Sequence, residues 1–189
     1  MGMNDTNEKP SYLGLLNSIA NAEAAAECYL DAWAAVTPSD DVRQIIATVA
    51  LREGEHGKAF AKRMCELGFN VSPRSDGQAD ERIQIAGSST LSDREKFEKL
   101  GLARPSDTSK PDIFAGMFAD ASMDIQTTAL MGRYVAEERD SGRMLRACYE
   151  QLSCEEAEGN STMAANGSVE DRLARIECLL EDLTKRISA

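Results

Sequence analysis

Between residues 42 and 67 the apolar side chains Val42, Ile46, Val49, Phe60, Met64 and Leu67 fall in a regular rhythm, and Glu53 and His56 fill its gap. The successive steps are 4, 3, 4, 3, 4, 4 and 3. That spacing traces one face of an α-helix. A second stripe, Leu16, Ile19, Glu23, Ala26, Leu30 and Trp33, predicts a helix over 11–36. Thr37-Pro38-Ser39-Asp40 breaks the chain between the two, and Ser39 or Asp40 is placed to cap the second helix. So short a break makes the pair an antiparallel hairpin. Gly68 closes the second helix as its C-cap.

Beyond the hairpin the pattern weakens. Residues 69–91 are rich in Ser, Gly, Asp and Arg with little periodicity, as expected of a crossover. Ser92 to Gly101 reads as a short capped helix, 105–111 as a polar break, and Ile113 to Ala121 as a short apolar helix. From Asp124 to about Leu152 runs a long helix whose stripe is Leu130, Tyr134, Glu137, Ser141 or Asp140, Met144 and Cys148. The chain is expected to be all-α.

Each helix of the first hairpin carries a carboxylate inside its apolar stripe. Glu23 lies 15 residues before Pro38 and Glu53 lies 15 after it, which puts both roughly 22 Å from the turn. His56, the only histidine in the chain, stands one turn beyond Glu53. Burying such groups bare costs several kcal/mol or shifts their pKa until they neutralise. A bound cation is the most economical remedy, and a core histidine hydrogen-bonded to Glu53 is the alternative. Glu27, one turn nearer the loop than Glu23, is a weaker ligand candidate, and Glu55 is read as a solvated charge. Gly54 costs about 1 kcal/mol in a helix interior, which points to a close neighbour or a strained turn.

Glu23 in the first helix, the string Arg52-Glu53-Gly54-Glu55-His56 in the second, then Phe60 and the Glu66-Leu67-Gly68 ending together resemble the ferritin-like superfamily, in particular its rubrerythrin-like and encapsulated-ferritin-like members. The resemblance covers residues 12–70 best. It implies an antiparallel four-helix bundle holding two irons, with a glutamate from each of two helices and Glu-x-x-His from each of the others. Zinc or manganese are the other metals such ligands take. On this reading the metal ligands are Glu23, Glu53 and His56, joined by Glu137 and Asp140 from Glu137-Glu138-Arg139-Asp140, where Asp140 stands in the histidine's place. The expected catalytic residues are Glu23, Glu53 and His56.

The second hairpin departs from that pattern. Counting 15 residues back from a turn near Ser122 lands on Asp107, inside the polar break. Glu95, Glu98, Asp112 and Asp120 are the remaining candidates for a fourth carboxylate, with solvated surface charge as the plainer reading of each. The site is therefore expected to be asymmetric, to hold one ion, or to be completed by another subunit.

Composition bounds the rest. A net charge of -11 argues against nucleic acid, which needs a basic face. No apolar run approaches a membrane span and no secretory leader is visible, so a cytoplasmic protein is expected. The five cysteines are scattered without a Cys-x-x-Cys and read as reduced packing thiols. Residues 1–10 are polar and expected to be disordered. The bundle occupies 11–152, divided into a hairpin over 11–68, a crossover over 69–111 and a second hairpin over 112–152. A linker follows over 153–168. In the last segment, 169–189, Val169, Leu173, Ile176, Leu180, Leu183 and Ile187 repeat at steps of 4 and 3, the seam of a coiled coil.

The functional expectation is a metal-binding, di-iron oxidoreductase. Its partners would be ferrous iron and oxygen or peroxide, with an outside electron donor. Homo-oligomers would form through the hairpins and the C-terminal coil. Tyr29 and Tyr134 fall near the ligands and are read first as packed core residues. The competing expectation is a non-catalytic ferritin-like scaffold, or an assembly protein that binds metal without turnover.

Overall fold

Thr37 takes an extended backbone because Pro38 follows it, and the first helix, α1 (Leu13–Val36), ends there. Ser39 caps α2 (Asp40–Glu66) by accepting the Val42 N–H, and Asp40 and Asp41 in the first turn meet the positive end of the helix dipole. The two helices pack along one another as the hairpin. At the far end Gly68 adopts φ 85°, the Phe69 N–H reaches the Met64 carbonyl and the Gly68 N–H reaches that of Cys65. This is the Schellman closure that glycine permits at little cost.

The computed structural model describes residues 9–74, 77–102 and 114–164, with nothing said of side chains over 155–164. The described residues are helical with no strand. The chain divides into two compact units, 1–149 and 150–189. Within the first, α3 (Ala79–Ala86) lies in the crossover and packs on α1. The sequence gives little sign of α3, since Ala86 is its single buried residue. The short helix read at Ser92 is α4 (Asp93–Lys99), started by a reciprocal Ser92–Glu95 capping box. Asp93 accepts hydrogen bonds from Trp33 Nε1 and Thr37 Oγ1, each at 2.6 Å, while Phe97 meets the Trp33 ring edge-on at 4.7 Å. Those contacts fasten α4 to the turn end of the hairpin.

Where a short apolar helix is expected before the last long one, the described residues hold a single 3-10 turn, Ala115–Phe118. The Asp120 carboxylate accepts the Ser122 N–H and hydroxyl, and such local bonds compete with helix propagation. α5 (Ile125–Ala164) then begins at Asp124, whose carboxylate accepts the Gln126 and Thr127 N–H groups. It remains helical through 153–164, most of the stretch read as a linker. The core that sets the site lies among α1, α2 and the first half of α5, built on Leu16, Ile19, Phe60, Met64, Met131 and Tyr134. Residues 1–8, the break at 105–111 with Asp112 and Ile113, and the coiled coil read over 169–189 lie outside the described residues.

Candidate metal centre

Glu23, Glu53 and His56 are all buried. Together with Glu138 of α5 they place one donor atom each within 4.8 Å of one another. Close approach of α1 to α2 makes this possible. A Cβ on Gly57 would stand 3.3 Å from the Ala24 nitrogen and 3.4 Å from the Ala20 carbonyl, so a larger residue there would wedge the helices apart. Gly54 has a related reason, a close neighbour: an added Cβ would fall within the Glu27 carboxyl group, which lies across the α2 backbone and accepts from Lys58 at 2.9 Å. Glu27 is thereby occupied outside the cluster.

His56 is held in one orientation. Its Nε2 pairs with Glu137 Oε2 at 2.7 Å, and its ring meets Tyr134 edge-on at 5.1 Å between centroids. The other nitrogen, Nδ1, faces the carboxylates, 3.4 Å from Glu138 Oε1 and 3.9 Å from Glu53 Oε2. Both His56 Nδ1 and Glu138 Oε1 are buried without a hydrogen-bond partner. They face each other at ion-pair distance without a hydrogen bond to complete either one, and a buried polar atom left without a hydrogen bond costs about 1–3 kcal/mol.

The charges are arranged accordingly. Burial, reinforced by the neighbouring Glu53 carboxylate, pushes Glu23 up to about 9, so it is a neutral acid at neutral pH. The Tyr134 hydroxyl donates to its Oε1 at 2.7 Å. For Glu53 burial opposes ionisation, but His56 and Glu23 outweigh it and hold the carboxyl below its usual range. Burial also works against the imidazolium of His56. Glu138, Glu53 and Glu137 overcome it and lift the ring to about 10. Burial raises Glu138 as well. In the metal-free protein the imidazolium is thus the one cation within the cluster, doing by itself the work that a divalent ion would share among four donors.

The last helix contributes differently from the sequence expectation. Glu137 meets His56 from the solvent side, tied to Arg133 at 2.9 Å, and serves as the imidazole's hydrogen-bond partner. Asp140 lies outside the cluster, bound by Arg52 at 2.8 Å and Arg143 at 3.0 Å. The inward stripe of α5 runs Thr127, Met131, Tyr134, Glu138, Ser141, Leu145 and Cys148, with Glu138 half-buried and the rest buried. Its steps are 4, 3, 4, 3, 4 and 3. The position one turn after the ligand glutamate is therefore Ser141, whose hydroxyl accepts from Arg52 at 3.3 Å. The stripe read from the sequence shares Tyr134, Ser141 and Cys148 with this one but has Leu130, Glu137 and Met144 where the fold turns Met131, Glu138 and Leu145 inward. Of the other acidic candidates, Glu95 closes its capping box, Glu98 binds Arg94 and Tyr149, and Asp120 binds Ser11 and Ser122. Among the described residues no second histidine or further carboxylate joins the cluster.

Three carboxylates and one imidazole, drawn from three helices and largely shielded from water, form a donor set suited to a divalent ion. No protein-family model, curated protein or solved structure matches the chain. Among the described residues no helix is long and apolar enough to cross a membrane.

Proposed function

We propose that the protein is a ferritin-like metalloprotein whose centre, held by Glu23, Glu53, His56 and Glu138, binds iron and acts in iron oxidation or in the reduction of peroxide or oxygen. The observation that carries the reading is the orphaned pair, His56 Nδ1 and Glu138 Oε1, buried inside a shell of four donors. Iron held by Glu23, Glu53, His56 and Glu138 would supply ferrous–ferric redox chemistry toward oxygen or peroxide.

The chain's own residues prepare that chemistry. Glu137 fixes the imidazole through Nε2 and leaves Nδ1 as the donor, the arrangement in which a carboxylate orients a metal-binding histidine. Tyr134 holds the Glu23 carboxyl in place. Binding a cation releases the protons held by Glu23 and His56, so affinity rises with pH. Turnover would draw on an outside electron donor.

A single-ion centre without turnover is the second reading. It is favoured by Ser141, which stands where the two-iron pattern has its second imidazole. The test is to add ferrous iron in air, follow near-ultraviolet absorbance, and count iron per chain. Oxidation faster than in buffer, lost in Glu53→Ala and His56→Ala, is the expected result. Tight binding without oxidation would favour the single-ion reading, and a protein that takes up no metal would overturn both.

A further inference from the structure

The cluster opens on one side. Glu23, Glu53 and Glu138 form part of the wall of a cavity of ≈ 400 Å³, within the range typical of small-molecule clefts. Elsewhere its lining carries two guanidinium groups, Arg82 from α3 and Arg146 from α5, together with Tyr29. The Tyr29 hydroxyl is raised to about 12, first by burial and then by the Glu53 carboxylate, with Arg82 acting in the opposite sense. Leu30, Val49, Leu102 and Leu145 supply apolar wall between the acidic and basic parts.

Arg146 is the anomaly in this cavity. It is half-buried and has no hydrogen-bond or ion-pair partner among the described residues. Its Nη1 lies 3.4 Å from the point where a Cβ on Gly142 would stand. The guanidinium therefore folds back along α5, over the stripe that Glu138, Gly142 and Arg146 share at four-residue steps. It stops short of an ion pair with the carboxylates. A strong donor left idle in a partly apolar cavity, with a carboxylate cluster in the same wall, calls for an anionic group on a hydrocarbon body.

We infer that the cavity binds a small organic anion, a carboxylate with a short hydrocarbon body. Its head sits on Arg146, with Arg82 adding positive charge to the same wall, and its body lies along Leu30, Val49 and Leu145 beside the metal centre. The inference rests on the metal reading of the cluster, because a bound cation neutralises the carboxylates that would otherwise repel the ligand. Inorganic phosphate would satisfy Arg146 but leave the apolar wall unused.

Titration calorimetry of octanoate into the zinc-loaded full-length chain, with zinc measured on the same samples, tests it. Saturable binding is expected, with octan-1-ol and inorganic phosphate each ~10-fold weaker or more. Arg146→Gln should lose octanoate affinity by a similar factor while its zinc content is unchanged. Gly142→Val, whose side chain would enter the cavity, should do the same and serves if the arginine variant folds poorly. A protein that holds zinc but binds octanoate no better than octan-1-ol, or equally well in both variants, overturns the inference and leaves the metal reading standing. Phosphate binding tighter than octanoate overturns the organic assignment. A protein that takes up no zinc overturns the metal reading and this inference with it.

Discussion

Two ionic regions lie along α2, each built around a buried side chain, Arg63 in one and His56 in the other, and they are finished differently. Near its C-terminal end Arg63 donates to Thr127, Glu66, Gln126 and Asp124, all at 2.8–2.9 Å, while Asp124 also accepts from Tyr12 and caps α5. Two turns earlier, Glu53 and His56 sit among carboxylates with two polar atoms left over. The Arg63 network is closed by its own members and pins α5 to α2. The Glu53/His56 cluster keeps two buried atoms, His56 Nδ1 and Glu138 Oε1, that no hydrogen bond within the described residues satisfies. Charge burial alone therefore does not mark a binding site; incomplete pairing does.

The largest expected effect is on the closed network. Arg63→Ala should cost about 3 kcal/mol in chemical denaturation, with or without metal, because it removes four hydrogen bonds at once and leaves the buried Thr127 hydroxyl without its guanidinium partner. A loss below 1 kcal/mol would break the contrast. Next comes the open cluster: metal at 100 times its Kd should stabilise the natural chain by about 2.7 kcal/mol, and His56→Ala should abolish that gain in the same thermal melt.

The two regions should also titrate in opposite senses. Burial opposes ionisation of Asp124, but hydrogen bonds from Thr127, Tyr12 and Arg63 hold it well below its ordinary 3.8. The stability it contributes is therefore present above pH 3.8 and lost as the pH falls toward its folded value. Glu23, lifted from 4.5 to about 9, and His56, lifted from 6.5 to about 10, both bind protons more tightly in the fold. Their contribution is complete in acid and lost as the pH rises through those windows. Metal-free protein should thus weaken steadily from about pH 5 to pH 10. Stability that climbed over that range would contradict the account.

Smaller effects sharpen the comparison. Glu138→Gln removes a carboxylate that faces both the His56 imidazolium and the Glu53 carboxylate, so it should change the stability of metal-free protein by less than about 1 kcal/mol while weakening metal binding. Gly54→Ala should change stability by less than about 1 kcal/mol, since the flexible Glu27 head can move aside and alanine favours the helix. Denaturant midpoints of these two variants beside the natural chain give both numbers.

Much of the hairpin was legible because a proline turn lets depth be counted along both arms. Glu23, Glu53 and His56 meet as that count implies. The α5 side was not, for a specific reason. Glu137 and Glu138 are adjacent, Tyr134, Ser141 and Cys148 fit either phase, and the polar members of the inward stripe, Thr127 and Ser141, are buried by bonds to Arg63 and Arg52. Their partners lie more than 60 positions away in the chain, and periodicity cannot see them. α3 escaped notice because a helix that buries one alanine leaves almost no stripe.

The most direct test is anomalous diffraction from crystals grown with zinc or ferrous iron. A peak is expected about 2.0–2.2 Å from Glu23, Glu53, Glu138 and His56 Nδ1, with Nε2 still paired to Glu137. A map with no peak there, or with water bridging Glu138 and Nδ1 in its place, would contradict it.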